Sequence, residues 1–363
     1  MSWLAWQRVF AAWIVWVMLG RGAVQAQSVE VAAAADAEPR DDGPRVDARG
    51  AWPVAAALVL GPVVHGAGHF TAGQTSTALT LLAAEGVGVL GAVAGLAGLA
   101  ATGASEKTVA PLAGVAALGV GLFATSWLAD VYGVVTPPGG FGRAVLRPAL
   151  VAEAGVFGVI DPVFEHDALA YVGGRAFLGR SSLALEGHVG VDHDNQRLRG
   201  VYAYRLLEWD AATYVEAELG AVHHRYAPEG FSMTFGEAAI SGSLDLGRVA
   251  PTLHGAFVSG AFGLAFGAHR YFDVATESDS LLLIRIAFGC FIGDGGSLSL
   301  YYDHRHDGYT GGLKMFGLGS GVIGHVGAAL QYYVSPEWGF SVRAETGSAH
   351  MLGASVLFRR KRW

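Results

Sequence analysis

Cysteine is almost absent from this chain: one residue, Cys290, in 363. That excludes an internal disulfide framework and any multi-cysteine metal cluster. Charge is also scarce, at 15% of residues, against about 25% in ordinary soluble domains. The 24 basic and 31 acidic residues leave a net charge of −7, which gives no reason to expect a nucleic-acid partner. What is abundant is glycine, 53 residues in a chain that is 52% hydrophobic. That combination suits a membrane protein or a sheet protein with many tight turns, and the length allows two domains.

The first residues address compartment. Arg8 is followed by the apolar run Val9 to Leu19 and the small-residue boundary "AVQA". This pattern predicts a secretory signal over residues 1–26, cut after Ala26. An uncleaved anchor is the alternative, but the run is too short to span a bilayer comfortably. No cysteine follows it, so it is not a lipoprotein signal. Residues 27–50 are acidic and proline-punctuated, and read as a disordered linker.

Residues 51–136 have a helical pattern in three apolar segments. "AWPVAAALVLGPVVHGAGHF" is the first; the second starts at Ser76 and the third at Val109. The last two are long enough to cross a bilayer. Gly91 and Gly95, and Ala117 and Gly121, give the small-x-x-x-small faces that let helices approach. The segments are rich in Ala and Gly and only weakly hydrophobic, so export past the inner membrane is not blocked. The unit is expected to lie against the periplasmic leaflet or a barrel mouth. Gly86, Gly88 and Gly91 match G-x-G-x-x-G, but no strand precedes them, so they signify helix packing and not a dinucleotide site. Residues 137–145 form a Pro/Gly linker.

From residue 146 to 363 the period becomes two. In "SSLALEGHVGVD", Leu183, Leu185, Val189 and Val191 share one face, and Glu186, His188 and Asp192 the other. "GSLSLYYD", "HVGAALQYYV" and "EWGFSVRAE" repeat the alternation. Such segments of about ten residues are the mark of transmembrane β-strands. A soluble sandwich alternates too, but it carries more surface charge and breaks its strands more often with proline; a polytopic inner-membrane protein would not alternate. Tight breaks near Gly179–Ser181, Trp209–Ala211, Gly247–Pro251, Gly293–Gly296 and Ser335–Glu337 intercalate with longer polar ones. If "TGGLKMFGLGS" belongs to one long outer loop, the count is twelve antiparallel strands; other groupings give ten or fourteen.

With its signal segment, its alternating strands, and the aromatics Tyr202, Tyr204, Tyr302, Tyr332 and Trp338, the chain over residues 146–363 resembles a Gram-negative outer-membrane β-barrel. The resemblance is one of architecture. It implies outer-membrane lipids and the barrel-assembly machinery as partners. It also implies a last strand ending in an aromatic residue; here "MLGASVLF" ends at Phe358 and "RRKRW" follows.

Inward positions of such a barrel would carry Glu186, His188, Arg197, Arg199, Arg205, Glu216, Glu218, Asp245, Arg285, Asp303, Arg343 and Glu345. Neighbouring strands of opposite sign can pair, which either fills the lumen or lines a path for small solutes. The expected function is therefore a structural or small-solute transport role. The alternative is a metal-dependent envelope hydrolase. It would use His65 and His69, four residues apart and on one face if helical, with Glu85 or Asp130 as a further ligand for a divalent metal. The metalloprotease motif places a glutamate after the first histidine, and this chain has Gly66 there, so the general base is missing. A hydrogen-bonded polar clasp among His65, His69, Glu85 and Asp130 is the non-metal reading, and no cofactor is then expected. Further acid and histidine groups fall in proposed outer loops: Asp192, His193 and Asp194; His223 and His224; Asp303, His304, His306 and Asp307. They are candidate divalent-cation sites. Ser182, His188 and Ser299 supply residue types for a hydrolase without a motif that pairs them.

Overall fold

The computed structural model describes residues 51–363 apart from 104, 146, 162–167, 192–193, 227–229, 271–275, 306, 315–319 and 361–363. The expected signal segment, its cleavage at Ala26 and the acidic linker lie outside the described residues.

Four helices come first: α1 (Ala51–Val59), α2 (Ala67–Thr71), α3 (Thr75–Thr102) and α4 (Glu106–Val135). The first apolar segment is not one helix. Gly66 adopts φ 88°, a left-handed conformation that favours glycine, and a Cβ there would stand 2.5 Å from the Ala78 carbonyl oxygen. His65 therefore sits in the turn before α2, whereas His69 lies within α2. This corrects the expectation that the two share one helical face. The hairpin α3–α4 closes tightly because glycines stand at the crossing. A Cβ on Gly119 would be 2.2 Å from the Ala92 nitrogen, and one on Gly95 2.5 Å from the Ala116 nitrogen. Gly88 and Gly91 also face α4, so these two of the triplet serve helix packing, whereas Gly86 faces open space.

Within the expected linker a two-residue strand, Gly142–Arg143, lies parallel against Gly293–Asp294. Twelve antiparallel strands then close into a barrel. They are β1 (Leu150–Ile160), β2 (Ala168–Leu178), β3 (Ser181–Gly190), β4 (Gln196–Glu208), β5 (Tyr214–Tyr226), β6 (Phe231–Asp245), β7 (Ala256–Arg270), β8 (Glu277–Asp294), β9 (Gly296–Asp303), β10 (His325–Tyr333), β11 (Trp338–Thr346) and β12 (His350–Arg360). Each pairs with its neighbour in sequence, and β12 pairs with β1 from His350–Ile160 to Arg360–Leu150. Closure leaves no strand edge, which is what a sheet in lipid requires. A separate two-stranded hairpin, Leu313–Lys314 with Ser320–Ile323, sits in the long β9–β10 connection, so that stretch does belong to a loop. Connections β2–β3 and β8–β9 are tight, turning on Gly179 (φ 64°) and on Gly293 and Gly295 (φ 57° and 81°).

Outward positions are apolar and exposed, as at Val156, Val172, Leu183, Leu219, Leu352 and Val356. One sector differs. Register places Ile284, Ile286 and Phe288 of β8 outward, yet they are only 1%, 9% and 8% exposed. Helix α4 covers them. A Cβ on Gly121 would be 2.3 Å from Ile286, and one on Gly114 3.1 Å from Phe262 of β7. Gly121, expected on a helix–helix face, instead lets the barrel wall approach. At the short-turn rim, Leu81, Ala129 and Tyr132 join Leu246, Ala250, Leu253 and Phe288 in one apolar cluster. The Tyr132 hydroxyl donates to the His254 carbonyl at 2.9 Å. The helical unit is thus docked on the outer wall of the barrel and not at its mouth; complementary glycine notches and aliphatic side chains make the difference.

Replacing Gly119 by leucine should force α3 and α4 apart, a strain on the order of 1–3 kcal/mol. Leucine at Gly86, where nothing lies within 4 Å of an added Cβ, should be neutral. Limited proteolysis of the hairpin, with heat-modifiable gel mobility reporting the barrel, checks both: only the Gly119 variant should gain cleavage.

Candidate functional site

Alternation sends Glu186 and His188 of β3, Arg197, Arg199 and Arg205 of β4, and Glu216 and Glu218 of β5 into the lumen. Arg285 of β8 and Asp303 of β9 are register partners there, as are Arg343 and Glu345 on β11 with their inward neighbours. Asp245, at the end of β6, accepts from the Gly247 N–H at 2.8 Å and caps the following turn.

The charges are arranged in tiers. Near the short-turn rim, Arg147 lies 3.1 Å and Arg205 3.8 Å from Glu216, and Arg205 also meets Glu208 at 2.5 Å. Arg205 and Glu216 are direct cross-strand partners. Midway, Arg199 pairs with Glu237 at 2.9 Å, and Arg305 reaches the other oxygen of that carboxylate. Glu186 lies in the field of Arg199, Arg197 and Arg343. Glu218 accepts from the Ser241 hydroxyl, and the Arg285 guanidinium stands 4.7 Å over the Tyr301 ring.

The long-loop end is stoppered. After β9 the chain turns inward, so Asp307, Tyr309 and Thr310 are buried. Asp307 lies 2.8 Å from the Arg305 Nε and 3.8 Å from Arg197. The Tyr309 hydroxyl donates to Asn195 Oδ1 at 2.9 Å, the oxygen that also meets His224 Nε2 at 3.1 Å. The Tyr309 ring packs with Phe157, Leu169, Tyr171 and Met351, and His188 lies among Phe157, Tyr171 and Tyr309. Burial alone would depress the Arg305 guanidinium, but Asp307 and Glu237 outweigh it and raise it above an ordinary arginine.

Between the lower tier and the stopper is a cavity of about 340 Å³. Glu186, Arg199, Glu218, Glu237, Arg285 and Arg305 are among its charged lining residues, and Gly220, Ala239, Ser241, Ser259 and Ala261 form a wall of small residues that leaves it open. Arg305, Tyr309, Asn195 and Glu237 were not singled out from the sequence. Inward parity within "FGEAAISGSLD" marks Glu237, but nothing in "HDGYT" says that this loop folds into the barrel.

The helical cluster forms a clasp. Asp130 accepts from the Gly68 and His69 backbone N–H groups at 3.1 and 3.2 Å and from His69 Nδ1 at 2.6 Å. Ser126 donates to the Phe123 carbonyl at 2.9 Å, so it accepts from His65 Nδ1 at 2.6 Å. Glu85 accepts from the His65 backbone N–H at 2.9 Å. His69 Nε2 lies against Gly133, where an added Cβ would be only 2.4 Å away. Among the described residues no group of three His, Cys, Asp or Glu side chains could hold a metal. His223 and His224 are not in a loop: they are on β5, one outward against Thr234 and one inward, because the β5 strand extends to Tyr226. His304 bonds to the Tyr302 hydroxyl at 2.7 Å. Asp192, His193 and His306 lie outside the described residues.

No family model and no curated protein matches the chain. Solved structures do. The NanC porin matches with TM-score 0.39 and 10% identity over 58% of this chain and 100% of that one. The KdgM porin matches with TM-score 0.38 and 8% identity over 57% and 98%. The translocator domain of the autotransporter NalP from Neisseria meningitidis gives 0.37 and 12% over 59% and 89%.

Replacing Asp130 by alanine leaves two buried amides and an imidazole without their acceptor, and should destabilise the helical unit by about 3–5 kcal/mol. Hydrogen exchange checks it: protection at Gly68 and His69 should be lost while the barrel amides keep theirs.

Proposed function

We propose that this protein is an integral outer-membrane barrel whose lumen is a stoppered path for small polar solutes. The apolar exterior and closed hydrogen-bonding ring suit lipid. The interior suits water and charge. The observation that carries the reading is the Arg305–Glu237 pair, which holds an inward-folded loop over a polar cavity. A barrel built only as a scaffold has no need of such a cavity; complementary side chains would fill it. Both charge signs line the cavity, so it favours small solutes bearing polar groups over bulky apolar ones. The metal-dependent hydrolase reading loses its basis, since His65 and His69 face separate partners and are packed over.

Planar-bilayer recordings test this. The wild type should conduct weakly or intermittently. A variant combining Arg305→Ala and Tyr309→Ala removes the clamp and the aromatic plug, and should raise mean conductance by about tenfold or more, since pore passage depends steeply on radius and charge. A double variant as silent as the wild type, while retaining heat-modifiable mobility, would make the barrel a sealed structural element.

A further inference from the structure

We propose that the α3–α4 hairpin is immersed in the same bilayer as the barrel, as a helical pair clamped to its outer wall with acyl chains on its free face. This rests on the membrane-barrel reading above, and four observations carry it. The first is depth. From Gly114, beside Phe262, to Tyr132, bonded to His254, the helix advances about 27 Å at 1.5 Å per residue. The strand from Phe262 to its start at Ala256 covers about 20 Å at 3.3 Å per residue, and His254 lies in the turn just beyond it. Helix α4 therefore runs along the β7–β8 wall through about half or more of the roughly 30 Å hydrocarbon layer. The second is continuity. The residues α4 covers, Ile284, Ile286 and Phe288, belong to the outward belt whose uncovered members face lipid, so the hairpin displaces lipid from one sector of that belt.

The third is the free face. Leu79, Leu90, Val93 and Leu96 of α3 are exposed, Leu90 to 70%, comparable with 64% for Val172 on the barrel belt. At 28 and 30 residues both helices exceed the roughly 20 needed to span, and each is long and apolar enough to cross a membrane. In water, this face would be an unprotected apolar surface well above what soluble proteins tolerate. The fourth is chemistry. The ionisable groups along the hairpin's length, Glu85 and Asp130, point with Ser126 into the clasp with His65 and His69 and not outward, as such groups at membrane depth must; Glu106 and Lys107 stand at the hairpin tip. The modest hydrophobicity of Ala and Gly then has a purpose. The hairpin gains stability from close packing of α3 on α4 and of α4 on the wall, and it is not apolar enough to be held in the inner membrane on the way out.

Spin labels on full-length protein in proteoliposomes test the proposal in a Cys290→Ala background. Labels at Leu90→Cys and Val93→Cys should match a label at Val172→Cys in their ratio of oxygen to water-soluble nickel-chelate collision rates. They should exceed a label at the hairpin tip, Ser105→Cys, by about tenfold, because polar reagents are excluded from hydrocarbon. All four sites are exposed, so labelling should not perturb folding, and heat-modifiable mobility verifies it. Labels at 90 and 93 that behave like the one at 105, with 172 in lipid, would overturn the proposal alone. A label at 172 found in water would overturn the barrel reading itself, and this inference with it.

Discussion

A sheet in hydrocarbon has no water to satisfy its edge amides and carbonyls, and each unsatisfied group there costs several kcal/mol. The ring of hydrogen bonds between strands is therefore the constraint on which the rest of this protein depends. It joins β12 back to β1 along their whole length, and once it is closed every strand side chain points one of two ways, outward or into the lumen. The period-two pattern then sorts them: Leu183 and Leu185 outward, Glu186 and His188 inward. Each charge sent inward must find a partner in a confined space, which explains why Glu216 is shared by Arg147 and Arg205 and why Glu237 is shared by Arg199 and Arg305.

The lumen illustrates how a mixed-charge interior can be both stable and incompletely filled. Ion pairs line the short-turn rim and the inward loop stoppers the other end, while glycine, alanine and serine on β5, β6 and β7 leave space between them. Those small residues lie on the strands beside the helix-covered wall.

Much of the barrel was legible in the sequence because its signal is strictly local. Alternation reports which way each side chain points, and turns such as Gly179 and Gly293 mark where strands reverse, so the count of twelve and the inward positions of Arg197, Arg199 and Arg205 could be read directly. Three things could not. The break at Gly66 depends on a backbone sign that sequence does not show, and it removed the apparent helical face of His65 and His69. The inward fold of the loop with Arg305 and Tyr309 rests on partners more than sixty residues away, Glu237 and Asn195. The docking of α4 on β7 and β8 depends on shape, since Gly114 and Gly121 look the same in a sequence whether they receive another helix or an isoleucine from a sheet.

Ring closure itself can be tested by a disulfide across the β1–β12 seam. Ala154 and Val356 are register partners on the outer face, and paired residues in an antiparallel ladder lie within the about 4.4–6.8 Å Cα separation that a disulfide accepts. With Cys290 replaced by alanine, cysteines at 154 and 356 should oxidise to a cross-link in the folded protein, visible as a reducible mobility shift. Cysteines at 154 and 352, offset along the same strands, should not. If the in-register pair fails to cross-link, or the offset pair does so equally well, the two ends of the sheet do not meet as described.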